Sequence, residues 1–441
     1  MARLFAERAV NVSLVTIPHN AARFATIIDR ALKPEVGLPM GCENLDIVPS
    51  RDLIRNFYKA IDKLQEPLEQ CLQEQKPLPS CIISDKCLYW TAQTVRKFQI
   101  PRTVFHGMCC FSLLSSHNVQ LYNAHNSVAS NSEPFVVPGM PLKFEITRAQ
   151  LPGDRIDSLR CRGQQFQFNE LEHGCAEEYQ RALGKKVWCI GLVSLCNKEN
   201  LDMFERGNKA SIDDKQCLGW LDSMKPRSVV YACLGSQCRL VPSQLIQLGL
   251  GLEASKHPFV WVVKTGEEIF HEVEKWLLEE KFEERIRGRG LLIKGWAPQV
   301  LILSHPAIGG FLTHCGRNST IEGLCFGVPM ITWPLFAKQF FNEKLIVEIL
   351  RIGVRVGVDV PVRWGEEEKV GVLVNKDQVE MALDILMDGG EEGEERRKKA
   401  LELGEMARRS MEEGGSSHSN MLLLIQYIIK QFTGDKSSCL Q

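Results

Sequence analysis

Short apolar runs bounded by glycine or proline recur through the second half of the chain, with helical stretches between them. SVVYACLGS (228–236), FVWVV (259–263), GLLIKGW (290–296), AIGGFLTH (307–314) and PMITWP (329–334) have the length and continuous apolar character of strands buried in a parallel sheet. DKQCLGWLDS, VPSQLIQLGLGLEAS and KQFFNEKLIVEIL supply helices between and after them, and VRVGVDV (354–360) follows as another strand. Strands and helices alternating in this order predict an α/β fold with parallel sheets. GGEEGEERRKK (389–399) reads as a solvated helix start, and EGGSSHSN (413–420) as a turn before the apolar helix MLLLIQYIIKQF (421–432).

The first half is less regular. ARLFAERA (2–9) is helix-like and the apolar VNVSLVTIP (10–18) follows as a strand, whereas a domain of this kind is expected to open with strand, loop and then that helix. DLIRNFYKAIDKLQEPLEQCLQEQ (52–75) predicts one amphipathic helix. CIISD (81–85) predicts a short buried strand that delivers Asp85 to the carboxyl edge of the sheet, and TVFHGMCCF (103–111) a strand and turn whose His106, like His117, reads as structural. From Leu121 to Pro152 the chain is polar and proline-punctuated, as a variable loop lining a pocket would be. DRIDSLRCRGQQFQF (154–168) carries Arg and Gln where a buried strand is expected. The polar NKENLDMFERGNKASIDDK (197–215) reads as a linker.

At 441 residues the chain is longer than one core usually serves, so two domains are expected. With 53 basic against 54 acidic side chains and a net charge of −1, neither nucleic acid nor an anionic membrane surface is favoured as a partner. Sixteen cysteines show no CxxC pair and no zinc-site spacing, and read as the reduced thiols of a cytosolic protein. No apolar stretch reaches the ~18 residues of a membrane span. GxGxxG after a strand is absent, as is GxxxxGK followed by Ser or Thr, so dinucleotide dehydrogenases and P-loop enzymes lack support.

The chemistry concentrates between Trp296 and Gln339. After the strand ending at His314, a small-residue turn leads into a helix, and its unpaired N–H groups and dipole suit a diphosphate at the carboxyl edge of the sheet. His314, Asn318 and Ser319 add side-chain donors; Glu322, one turn on, is an acceptor suited to a ribose diol; Trp296 offers a flat face to a base. Taken singly, Ser319 and Asn318 read as caps, His314 as a strand-end histidine and Trp296 as core. Their concurrence in one strand-turn-helix points to a nucleotide diphosphate.

The same 44 residues, Trp296 to Gln339, resemble without a gap the signature box of plant family 1 UDP-sugar glycosyltransferases. TIPHNAARF, ISDKCL, FHGMCCF, ELEHGCAEEYQ, WCIGLVSLCNK, CLGSQC, WGEEEKVGVLV and EEGGSSHSN extend the resemblance to the group that glucosylates plant terpenoids, steroids and phenolics. The resemblance implies the GT-B fold, two Rossmann-like domains with parallel sheets facing a cleft: an acceptor-binding domain over 1–196, a linker over 197–215, a UDP-sugar-binding domain over 216–414, and a helix over 415–433 that packs back on the first domain. It implies that Trp296 stacks on uracil, that Ser236, His314, Asn318 and Ser319 hold the diphosphate, that Glu322 binds the ribose and that Gln339 contacts the sugar, commonly glucose; Ala297 and Gln299 belong to the same donor site. The co-substrates implied are a UDP-sugar and a small lipophilic acceptor, with no cofactor or metal, and the reaction implied is inverting.

Two positions depart from the family, which normally has Trp at Arg317 and an acidic residue at Lys338, both beside the sugar. An ammonium donates only, so Lys338 does not reproduce a carboxylate's contact with sugar hydroxyls. The family's general base, a histidine in a Gly-His-rich loop after the first strand, has no match here; His19 matches a different position, and Asp85 matches the carboxylate that partners that histidine. On this reading the sequence is truncated at its N-terminus and the first domain is weakened. Together with residues 154–168, this suggests an altered reading frame, a splice product or a decayed gene, which transcript sequencing would decide. The alternative to an active enzyme is an impaired or inactive UDP-binding remnant of the family.

Overall fold

The structure, a computed structural model, describes residues 2–6, 8–13, 48, 53–152, 171–172, 174–191, 210–264, 268–363 and 365–433. In the N-terminal half, β1 (Ile82–Asp85) and β2 (Arg102–Phe105) pair in parallel, with Asp85 opposite Phe105. A hairpin of β3 (Pro134–Val136) and β4 (Glu145–Thr147) follows, with buried Phe135 facing buried Ile146. That hairpin stands in the stretch expected to be loop; each strand is three residues long, too few for alternation to register in the sequence.

The C-terminal half holds β5 (Val229–Cys233), β6 (Phe259–Val263), β7 (Gly290–Lys294), β8 (Ile308–Thr313), β9 (Met330–Thr332) and β10 (Gly353–Arg355) in one parallel sheet. Their order is β10-β9-β8-β5-β6-β7. Every residue of β8 and β9 is buried, as expected of central strands covered on both faces. The last strand is shorter than VRVGVDV suggests, because Gly357 takes φ +103 soon after Arg355.

Two further expectations change. Residues 52–75 form two helices, Ile54–Asp62 and Gln65–Glu74. Pro67 lacks the N–H that would bond the carbonyl of Lys63, and its ring crowds that carbonyl, so the first helix cannot run through. Helix Ala2–Ala6 is present, but residues 10–13 of the expected first strand carry no strand pairing, and 14–18 lie outside the described residues. His19, residues 154–168 and most of the linker also lie outside them. The charged run at 389–399 does begin a helix, Glu391–Met411, with Glu391, Glu392 and Glu394 in the first turn, where the dipole favours anions.

One apolar cluster runs through both halves. Phe111, in helix Cys110–Leu121, lies 4.9 Å from Phe144, and Phe144 lies edge-on 6.3 Å from Phe341, in helix Gln339–Lys344. Helix Ser416–Thr433 buries Met421 and Leu424 in a smaller cluster with Leu4, Phe5, Trp188 and Ile190. Among the described residues no helix is long and apolar enough to cross a membrane.

Candidate active site

In the strand order, β5 leads outward to β6 and β7, while its neighbour β8 leads the opposite way to β9 and β10. The crevice above the carboxyl ends of β5 and β8 is therefore the topological switch point, where open α/β sheets place their ligands. Cys233 and Thr313 are register partners there, so Gly235 and Ser236 come up beside His314. The two segments touch closely. A Cβ on Gly235 would stand 2.5 Å from His314 Cε1, and one on Gly316 would stand 2.2 Å from His314 Nε2. Only hydrogen fits at either place, and the imidazole is packed between the two glycines.

The turn that presents this ring is tightly held. Cys315 has φ +60, a left-handed conformation costly for a side-chain-bearing residue. Asn342 Nδ2 donates to its carbonyl at 2.8 Å. Helix Arg317–Cys325 then begins at Gly316, with no side-chain cap. Neither Asn318 nor Ser319 serves as its N-cap; Asn318 is exposed, and Ser319 is buried in the first turn. The helix start thus keeps open N–H groups at the switch point, the arrangement that receives a phosphate. Loss of solvation lowers the pKa of His314 to about 4, so at neutral pH it is an uncharged ring, and its buried Nδ1 has no hydrogen-bond partner among the described residues. An anion beside it would favour the charged form.

Gln299 ties the next residues together. Its Nε2 donates to Ser319 Oγ at 3.2 Å and to Glu322 Oε2 at 2.8 Å, fixing a buried carboxylate one turn into the helix. Trp296 follows Gly295 at the end of β7, and its backbone is pinned by two bonds with Ser211: Trp296 N to Ser211 Oγ at 2.9 Å and Ser211 N to Trp296 O at 2.8 Å. Ala297 is buried beside it. Gln339 is buried at the start of its helix, and its Oε1 accepts from Leu335 N at 2.7 Å and Phe336 N at 3.0 Å. With the oxygen so occupied, its amide group is left to donate.

Arg317 and Lys338 are both buried. Arg317 Nη2 donates to Glu172 Oε1 at 3.1 Å, and Glu172 Oε2 accepts from Phe111 N at 2.8 Å. Burial raises Glu172 to a pKa of about 7 against the opposing pull of Arg317. Lys338 stands close enough to His106 that its charge, with that of Lys86, adds to burial in holding His106 down to about 2. Asp85 is exposed at the end of β1, and its Oδ1 accepts from Cys87 N at 2.7 Å. It lies in the other half of the molecule from the donor residues. Sequence reasoning missed Glu172 and the two cradle glycines; nothing local in ELEHGCA sets Glu172 apart from its neighbours Glu170 and His173.

The family described as UDP-glucoronosyl and UDP-glucosyl transferase matches residues 211–360, the part that carries the turn at His314. UDP-glycosyltransferase 73D1 of Arabidopsis thaliana is 53% identical over 475 aligned positions, covering 98% of this chain and 94% of the relative. That alignment is longer than the chain's 441 residues, so the relative carries residues without a counterpart here. UDP-glycosyltransferase 73C12 of Barbarea vulgaris is 48% identical, with 98% and 93% covered. Among solved structures, Glycyrrhiza uralensis UGT73P12 complexed with glycyrrhetinic acid 3-O-monoglucuronide superposes with a TM-score of 0.90 at 34% identity, over 98% of this chain and 93% of that one. Phytolacca americana UGT2 complexed with UDP-2fluoro-glucose and pterostilbene gives 0.67 at 27% identity, over 85% and 82%. The fold is the GT-B arrangement of two facing Rossmann-like halves. Sharing about half its residues with such relatives along nearly its whole length, the chain belongs to the plant UDP-glycosyltransferases.

Proposed function

We propose that this protein transfers a sugar, glucose in the first instance, from a UDP-sugar to a hydroxyl of a small lipophilic plant metabolite with inversion at the anomeric carbon. The observation that carries the reading is the uncapped helix start beside His314 at the β5–β8 switch point. As the acceptor oxygen attacks, negative charge develops on the departing UDP, and preorganised N–H groups there stabilise it without reorganisation. Trp296 supplies a face for uracil, Glu322 an acceptor for ribose hydroxyls held ready by Gln299, and Gln339 a donor for the sugar. Ser236, Ala297, Asn318 and Ser319 complete the donor site in this reading. By resemblance to the family, Asp85, at the end of β1, would partner a proton-accepting imidazole. Charge on the leaving group is met by protein groups alone in this reading. A cytoplasmic location fits the free thiols of the described cysteines.

The test is calorimetric titration with UDP and UDP-glucose, followed by incubation of the full chain with UDP-glucose and a panel of phenolic and terpenoid alcohols. Glucoside formation supports transfer. Binding of UDP with no product across the panel would leave a nucleotide-binding remnant, and failure to bind UDP would overturn the donor site itself.

A further inference from the structure

Arg317 is the first residue of the helix whose open end faces the proposed donor. A cation there opposes the helix dipole, and burying it adds a desolvation cost, so its placement needs a partner. That partner is Glu172, 145 residues away and only 1% exposed. The same carboxylate accepts from Phe111 N in the first turn of helix Cys110–Leu121. One side chain therefore joins two helix starts, one on each side of the cleft.

A second tie runs alongside it. Cys109, the N-cap of helix Cys110–Leu121, donates its thiol to Asn342 Oδ1 at 3.3 Å, and Asn342 Nδ2 donates to Cys315 O at 2.8 Å. The two ties meet the donor turn on either side of Gly316, at Cys315 and Arg317. On the other side they meet the chain just after His106, which follows β2, the neighbour of the strand that ends in Asp85.

We propose that Arg317 and Glu172 are positioning residues that couple the donor turn to the acceptor half, so that occupancy by UDP at His314–Ser319 tightens the start of helix Cys110–Leu121. The UDP-dependent part rests on the donor site proposed above; the tie itself does not. Arg317 is on this view an internal strut and no reader of the sugar. Phe111 N–H reports on it directly, because it donates to the Glu172 carboxylate.

Hydrogen exchange read by mass spectrometry on the full chain, with and without UDP, tests this in wild type, Arg317→Met, Arg317→Lys and Glu172→Gln. Without UDP, the peptide containing Phe111 should exchange at least about tenfold faster in Arg317→Met than in wild type, while peptides from β6 stay unchanged. Arg317→Lys, which keeps the charge, should recover part of the protection. In wild type, UDP should slow exchange both at 314–319 and around Phe111; in Arg317→Met it should protect 314–319 alone. Unaltered exchange at Phe111 in Arg317→Met would overturn the tie, and protection of Phe111 by UDP to the wild-type extent in that variant would overturn the coupling. If Arg317→Met does not fold, Glu172→Gln, which retains an acceptor for Phe111 but no charge for Arg317, decides: UDP protection reaching Phe111 undiminished counts against the coupling. Absence of any UDP effect at 314–319 in wild type refutes the donor site and with it the coupling, leaving the exchange without ligand to judge the tie.

Discussion

Gly316→Ala isolates the contribution of His314. The backbone there has φ −62 and ψ 139, open to any residue, so alanine brings no dihedral strain. Its Cβ would lie 2.2 Å from Nε2 and 2.7 Å from Cε1 of His314, against a normal contact of about 3.5 Å, so the ring must move by roughly 1 Å or more. A displacement of that size removes a hydrogen bond to a charged group, worth about 1.5–3 kcal/mol, and predicts roughly 10- to 150-fold weaker UDP binding. Uridine has no phosphate for His314 to meet, and its affinity should stay within about twofold. Titration calorimetry with both ligands measures the difference, with a melting curve to show that the variant is folded. Equal weakening of UDP and uridine would refute the argument, as would unchanged UDP binding. Gly235→Ala makes the same clash from the other side, but its φ of +80 adds backbone strain of about 1–2 kcal/mol, so it should lose thermal stability as well.

Trp296→Ala should show the opposite ligand pattern, weakening UDP and uridine alike by about 1–3 kcal/mol if the indole stacks on the base; selective loss of UDP would count against stacking. Glu172 has a folded pKa near 7 against 4.5 for an ordinary glutamate, so the folded chain holds the extra proton between those values. The stability this gives is complete below about pH 4.5 and disappears as pH rises through about 7, on the order of 3 kcal/mol in all. Melting temperature should fall from pH 5 to 8 more steeply in wild type than in Glu172→Gln; parallel curves would refute the assignment. Asn342→Ala removes the donor that holds the left-handed Cys315, and should cost about 1–3 kcal/mol of stability in denaturant unfolding; an unchanged midpoint would refute that role.

The donor half was largely legible because its strands are covered on both faces, which leaves uninterrupted apolar runs in the sequence and makes the strand-turn-helix at His314 easy to find. What escaped depends on contacts between distant segments. Nothing local in CGRNS shows that Arg317 turns to Glu172, and nothing in CLGS shows that Gly235 is required by a ring 79 residues later, at His314. The break before Pro67 follows from steric rules, although apolar periodicity continues through it. His106 was read as structural and is buried, yet its position against Lys338 could not be foreseen without the pairing of the two halves.

The line of rings from Phe111 through Phe144 to Phe341 bears on whether the molecule can be divided. Severed between residues 191 and 210, each fragment would expose an oily face that the other normally covers, and a lone C-terminal fragment should associate with itself and precipitate even though it carries all six strands of its sheet. Mixed together, the two fragments should recognise each other through that face and restore nucleotide binding, which makes this chain a natural scaffold for fragment complementation rather than a pair of exchangeable modules.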